Sequence, residues 1–326
     1  MRTSRGGLRM RIEIIGTGRA VPAACVTSRA LDERLGLGNG QLEAATGVIE
    51  RYVCEAESQV DLACVAARLA LADAGIEANA IDLVIGGCGV PYQPLPSTAP
   101  LVMQRLGMAD GSAAAFDVNS TCLGFLTAFE TAGRMIDAGQ CERALIFSSE
   151  IASRALPWKD QPEIAALFGD GAAAAVLCRS ASGDSKVVAN LMRTYPSAYD
   201  ACGIGSGGTR FDFHGQPQEF ASHTLFHMDG KELFRVTSRH FNGSAPRSGM
   251  HAEAEPAPTR GASVPSMNHT SVPSSLVRTC GIRSPHFVFD IRLVQTSGGS
   301  TTCSFVLTNW LVISRTPQPC HLPICN

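Results

Sequence analysis

Charge of one sign is in short supply in this sequence: 27 Lys and Arg stand against 29 Asp and Glu, a formal net charge of −2 over 326 residues. So even a balance provides no field to draw the chain onto nucleic acid. No apolar run approaches the length of a membrane span, and no apolar region of a signal peptide follows the basic opening from Met1 to Arg11, where Met10 is an alternative start. A membrane-bound or secreted protein is therefore not expected, and a cytoplasmic one is. The glycine-rich segments lack what a nucleotide loop needs. No Gly-Lys-Ser/Thr follows Phe168-Gly169-Asp170-Gly171, which reads as a tight turn between strands. Cys202 to Gly208 has neither a strand before it nor a helix after it, and reads as a flexible surface loop. The 12 cysteines lack regular spacing and read as reduced thiols. Cys320, His321 and Cys325 lack a second ligand pair, so no metal is expected, and no cofactor.

What the sequence does have is ample apolar material, 45% of its residues, arranged in alternating segments. Arg11 to Ile15 alternates as a strand, and Gly16 to Pro22 has the composition of a turn. A helix is predicted from Val60 to Ala74, with Leu62, Ala66, Leu69 and Ala72 on one face and Gly75 as its stop. Asp82 to Gly87 reads as a buried strand, Pro96-Ser97-Thr98 as the cap of a helix reaching Leu106, and Ala113 to Val118 as a strand. Another helix and the strand Arg143 to Phe147 follow, then a polar loop with Trp158, the strand Ala172 to Leu177, and a helix from Asp229 to Phe241. Such alternation predicts a mostly parallel sheet covered on both faces.

The rest is organised around Asp117-Val118-Asn119-Ser120-Thr121-Cys122-Leu123-Gly124-Phe125, where a strand meets a helix. Cys122, Leu126, Phe129, Gly133 and Ile136 step by four and three, which places the cysteine in the first turn of that helix. Unpaired N–H groups and the helix dipole there favour a thiolate, the nucleophilic form. Gly124 is expected to keep the space beside the sulfur free for an acyl group.

These residues resemble the active-site segment of the ketoacyl-acyl-carrier-protein synthase III family, whose pattern is Asp-Val-Asn-Ala-Ala-Cys followed by a small residue, Gly and Phe. Ile15-Gly16-Thr17-Gly18, Ala45-Thr46-Gly47-Val48-Ile49-Glu50-Arg51, Leu167 to Ala173 and Met228 to Phe234 resemble further family segments in the same order. The resemblance implies a thiolase-like αβαβα sandwich whose C-terminal half is incomplete. Residues 10–180 are the expected N-terminal half with the nucleophile, and 181–326 the C-terminal half, degenerate after about 242. Beyond Asn242 half of the 18 prolines accumulate, lysine disappears, and 243–273 is rich in Ser, Pro, Ala and Gly. Family fragments return there. Asn268-His269-Thr270 to Pro273 and the helix implied over Leu276 to Ile282 place His269 as the catalytic histidine. Phe287 to Ile291 resembles the next strand, and Gly298 to Ser304 puts Gly299 where the family has its catalytic asparagine.

By this resemblance the chain is an acyltransferase of fatty-acid or polyketide-like biosynthesis. An acyl thioester acylates Cys122, and a malonyl thioester then condenses with the acyl group, a step expected to be impaired because glycine offers no side-chain N–H. Gln41, Ala45 and Pro162 stand where members that use coenzyme A carry Trp and Arg, so acyl carrier protein is the expected carrier ahead of coenzyme A, with Arg154 or Lys159 as substitutes for the lost cations. A homodimer formed near Ala113 to Ser120 is implied as well. Two other readings stay open: a catalytically inactive partner or scaffold of the same fold, and a thioester hydrolase or transacylase that uses Cys122 without condensation.

Overall fold

The computed structural model describes residues 10–182, 185–192, 194–244, 280–284, 287–295, 301–307 and 309–315. In chain order its elements begin with β1 (Ile12–Ala20), β2 (Ala24–Thr27), α1 (Ser28–Leu35), α2 (Gln41–Thr46), β3 (Glu50–Val53), α3 (Gln59–Ala74), β4 (Leu83–Gly86) and α4 (Thr98–Arg105). Then come β5 (Ala114–Asp117), α5 (Gly124–Asp137), β6 (Arg143–Glu150), α6 (Pro162–Ala165), β7 (Gly171–Arg179), β8 (Lys186–Leu191), β9 (Cys202–Gly203), α7 (Pro217–Ser222), β10 (His227–Met228) and α8 (Gly230–Ser244). The last four are β11 (Cys280–Ser284), β12 (Phe287–Gln295), β13 (Thr301–Leu307) and β14 (Asn309–Arg315). Among the described residues no helix is long and apolar enough to cross a membrane.

A five-stranded sheet in the order β1-β7-β6-β4-β5 organises the part that holds Cys122. Alternate residues along its strands serve two cores. Leu83, Ile85, Ala144, Ile146, Ala175 and Leu177 share one core with Ala128, Phe129, Ala132 and Ile136 of α5. Val84, Leu145, Phe147, Ala174 and Val176 share the other with α3 and α4. The sheet is less parallel than the alternation predicts. β6, β4 and β5 are parallel, whereas β7 runs antiparallel to both β6 and β1. No helix carries the chain back across the sheet between β6 and β7, only a loop with the single-turn α6, so the next strand starts where the last one ended.

Glycine decides two further departures. β1 continues through Gly16 and Gly18, where a turn is expected, because α3 lies directly on it. A Cβ at Gly16 would come 2.2 Å from the Ala70 carbonyl oxygen, and one at Gly18 2.1 Å from that of Ala66. The same contact turns α3 relative to the expected stripe. Leu62, Ala63, Ala66, Ala67 and Ala70 are buried, while Leu69 is 49% exposed. Small alanines allow a close approach that leucine would prevent. A capping box of Ser58 and Asp61 starts α3, and Gly75 ends it in the left-handed conformation.

Ser97 precedes α4 but its side chain caps nothing. The cap comes from Asp117 at the end of β5, whose carboxylate accepts from the Thr98 N–H at 2.6 Å and the Ala99 N–H at 2.8 Å. The Phe168-Gly169-Asp170-Gly171 segment is no tight hairpin. Buried Asp170 accepts from the Cys54 N–H at 2.7 Å, the Ser153 N–H at 2.9 Å and the Ser153 hydroxyl at 2.6 Å, and so fastens three segments together. Nor is 202–208 a free loop. β9 pairs with β10, and the Gly205 and Ser206 N–H groups both donate to the His223 carbonyl at 3.0 Å.

β8 joins β11 to β14 in a second five-stranded sheet, antiparallel throughout, in the order β11-β12-β13-β14-β8. Residues 280–282, at the end of the helix that the resemblance implies, are paired strand instead, opposite Phe289 to Ile291. Phe287 to Ile291 is strand, as expected. The apolar run from Phe305 to Ile313 is divided between two antiparallel strands, in which Leu307 pairs with Asn309.

Candidate active site

Between β5 and α5 the chain makes one 3-10 turn, Thr121–Leu123, with Cys122 at its centre. The cysteine therefore precedes α5 by a turn instead of lying within its first one. The reason is local. The Leu123 N–H donates to the Ser120 carbonyl at 3.1 Å, and Thr121 takes a left-handed φ of 56°, so α5 begins only at Gly124. Gly124 is needed for a different purpose from the one its place beside the sulfur suggests. A Cβ there would lie 2.2 Å from the Gly87 carbonyl oxygen, and one at Gly87 would lie 2.6 Å from the Gly124 oxygen. Two backbones touch at this point, pinning the start of α5 to the end of β4.

Hydrogen bonds fix the turn. The Thr121 N–H donates to Asn119 Oδ1 at 2.9 Å, and Asn119 Nδ2 donates to the Gly89 carbonyl at 3.0 Å. The Gly89 N–H in turn donates to Glu150 Oε1 at 2.5 Å, and the Val90 N–H reaches Glu150 Oε2 at 3.5 Å. Ser120 and Thr127 share a hydroxyl hydrogen bond of 2.5 Å that ties the turn to α5. Beneath them Gln59 Nε2 donates to the Ser149 carbonyl at 2.6 Å and the Val90 carbonyl at 2.8 Å, while the Ser149 hydroxyl donates to the Gln59 carbonyl at 2.7 Å.

Electrostatics correct one expectation. Cys122 is exposed as a residue, yet protein packed around its sulfur lifts the thiol above its ordinary value, and the Glu150 carboxylate lifts it further against the opposing effect of the cysteine's own N–H. Packing thus opposes the thiolate that a helix start favours, and attack by the thiol form requires that its proton be taken. Burial also raises Glu150, opposed by the Gly89 and Val90 N–H groups and the Ser148 hydroxyl. Cys202 on β9 is raised by burial and then by the charge of Cys122. Glu150 is the neighbour of the turn that the sequence reading misses, and an acid closing the apolar strand 143–150 is the signal that points to it.

His269 and Gly299 lie outside the described residues, as does 245–279 in its entirety. His227 points elsewhere, its Nε2 lying 3.3 Å from the Asp200 carbonyl, and the His214 ring packs edge-on to Phe213. Among the described residues no three His, Cys, Asp or Glu side chains gather as metal ligands. Gln41 and Ala45 lie on α2 and Pro162 opens α6, and these two helices pack on each other, so the positions matched to coenzyme A contacts occupy adjoining elements. Of the proposed substitutes, Arg154 donates to the Glu57 carbonyl at 3.3 Å and Lys159 is exposed.

A family model described as 3-oxoacyl-[acyl-carrier-protein] synthase III matches residues 116–196, which contain Cys122 and Glu150. The beta-ketoacyl-[acyl-carrier-protein] synthase III of Paramagnetospirillum magneticum is 35% identical over 230 residues, 69% of this chain and 68% of that protein. The enzyme of the same name from Neisseria gonorrhoeae is 41% identical over 169 residues, 52% of each chain. The crystal structure of 3-oxoacyl-[acyl-carrier-protein] synthase III from Aquifex aeolicus superposes with a TM-score of 0.59 at 31% identity, covering 69% of this chain and 67% of that one. The thiolase-like α/β class is thereby established.

Proposed function

We propose a reaction from one premise: the chain belongs to the 3-oxoacyl-[acyl-carrier-protein] synthase III family, and it is an acyltransferase of that kind, working by acyl transfer and condensation in fatty-acid biosynthesis. Cys122 is the nucleophile. Its sulfur attacks the carbonyl of an acyl thioester, the Cys122 N–H stabilises the oxyanion, and the carrier thiol leaves. The observation that carries this reading is the turn itself, an exposed cysteine held at the head of α5 by a left-handed Thr121 and the Gly87–Gly124 backbone contact.

A malonyl thioester then loses CO₂, and its enolate attacks the acyl carbonyl on Cys122, forming the new carbon–carbon bond as the thioester breaks and the cysteine sulfur leaves. His269 supplies one donor to that enolate, and Gly299, in the asparagine's place, supplies no side-chain donor. Loss of one such donor costs about 10²–10³ in rate, so condensation is the impaired half of the reaction and acylation the retained one. The first half is expected to prefer acyl carrier protein, because Gln41, Ala45 and Pro162 put no cation on α2 or α6 where coenzyme A would need one. A division near residue 180 into two thiolase-like halves, a cytoplasmic location and a homodimer complete the proposal. Support for the dimer comes from β5, which forms one edge of its sheet and leads directly to Cys122.

Intact mass after incubation with an acyl thioester tests the reading. A single acyl adduct that vanishes in Cys122→Ala is expected. An adduct of undiminished yield in that variant would place the nucleophile elsewhere, and product formed from malonyl carrier protein at the rate of an intact synthase would overturn the assigned impairment.

A further inference from the structure

Among the described residues Glu150 is a half-buried carboxylate beside the site to which the reaction above gives no task. It closes β6, across β4 from the nucleophile turn, and its neighbours form an unbroken chain. Glu150 accepts the Gly89 N–H at 2.5 Å, the Gly89 carbonyl accepts Asn119 Nδ2 at 3.0 Å, and Asn119 Oδ1 accepts the Thr121 N–H at 2.9 Å. Gly89 lies between the two ends of this chain. A Cβ added to it would stand 3.5 Å from Glu150 Oε1 and 3.6 Å from the Thr121 carbonyl.

We propose that Glu150 is a positioning residue for acyl transfer: through Gly89 and Asn119 its carboxylate holds the Thr121–Cys122 turn in place. This rests on Cys122 being the acylated residue. Its hydrogen bonds and its charge pull in opposite directions. Holding the turn favours attack, because reacting atoms misplaced by a fraction of an ångström lose much of their rate. A carboxylate beside the sulfur disfavours the thiolate, and Glu150 is among the groups that raise the Cys122 thiol. The groups that matter around this pair are few among the described residues. Cys202 of β9 feels the charge of Cys122, and Cys88, after β4, feels both Glu150 and Asp117 of β5. His227 of β10 is turned to the Asp200 carbonyl instead.

Two variants separate the roles. Glu150→Gln keeps an oxygen to accept the Gly89 N–H and removes the charge; Glu150→Ala removes both. Iodoacetamide alkylation of Cys122, located by peptide mass and followed against pH in the full chain, reads ionisation without requiring acyl transfer. In Glu150→Gln the profile is expected to move to lower pH, giving roughly three- to tenfold faster alkylation below the midpoint. In Glu150→Ala the acyl-transfer kcat is expected to fall about tenfold or more with KM held, while Glu150→Gln retains most of it. An alkylation profile in Glu150→Gln that superimposes on that of the unaltered chain would overturn the electrostatic role. Equal kcat in all three proteins would overturn the positioning role. Should Glu150→Ala fail to fold, a tenfold fall in kcat for Asn119→Ala, which cuts the same chain one link later, supports positioning, and unchanged kcat there overturns it. A shifted alkylation profile with no acyl adduct in any protein would count against the proposed function while leaving the charge coupling supported.

Discussion

The loops that leave the neighbouring parallel strands β4 and β5 each carry a cysteine, and they treat it in opposite ways. After β4 the chain stays within the sheet's cover. Cys88 is buried, its sulfur accepts the Ser149 N–H at 3.4 Å, and burial pushes its thiol up to about 12. After β5 the chain leaves the sheet edge through a left-handed residue, and Cys122 emerges exposed. Both loops meet at the Gly87–Gly124 contact. Proximity to a strand end therefore does not make a cysteine reactive; a backbone that turns out of the core does.

The largest expected effect tests that contrast directly. Cys122→Ala should abolish acyl labelling, whereas Cys88→Ala should keep it. Raising pH sharpens the comparison. The Cys88 thiol stays protonated until pH approaches about 12, so under alkaline native conditions Cys122 should react first, and Cys88 should follow only when the protein is denatured. Peptide mapping of alkylated cysteines reads both outcomes, and equal labelling of the two thiols in the folded chain would break the contrast.

Next in size is the contact that the loops share. Gly124→Ala would place a methyl group 2.2 Å from the Gly87 oxygen, with backbone on both sides and no side chain to move aside. A loss of about 3 kcal/mol in denaturant unfolding is expected. A third change acts on the β5 loop alone. Asp117→Ala removes the acceptor for the Thr98 and Ala99 N–H groups and should cost about 1–2 kcal/mol, whereas Ser97→Ala, at the position that looks like the cap in sequence, should cost almost nothing.

Ser97 and Asp117 also show how far the sequence can be read. Periodicity and apolar content reveal β4, β5, β6, β7 and α3 because each buries a face against the same two cores. The order of motifs likewise points to Cys122 and to the family. What stays hidden depends on distant partners. Asp117 caps the helix that starts at Thr98, Glu150 answers the loop that leaves β4, and Gly16 and Gly18 look like a turn because the helix that demands them is encoded much later, near Ala66 and Ala70. Cys202 reads as part of a loose glycine-rich loop since its pairing partner, Met228, follows a whole segment later. Local pattern reports burial well and contact poorly.

The smallest effect concerns the residue that makes the β5 loop differ. Thr121 holds φ at 56° although it is β-branched, a conformation that costs an ordinary L-residue about 1–2 kcal/mol. Glycine adopts it freely but gives up more chain entropy on folding, about 0.5–1 kcal/mol. Thr121→Gly should therefore raise unfolding stability by no more than about 1 kcal/mol. Activity should move the other way. Threonine has few alternatives once Asn119 takes its N–H and Gly124 is pinned to Gly87, so the turn is fixed before substrate arrives. Glycine would let Cys122 sample orientations away from the acyl carbonyl, and a several-fold lower acylation kcat at unchanged KM is expected. If Thr121→Gly were both less stable and fully active, the left-handed turn would carry no strain and set no geometry, and the exposure of Cys122 would owe nothing to it.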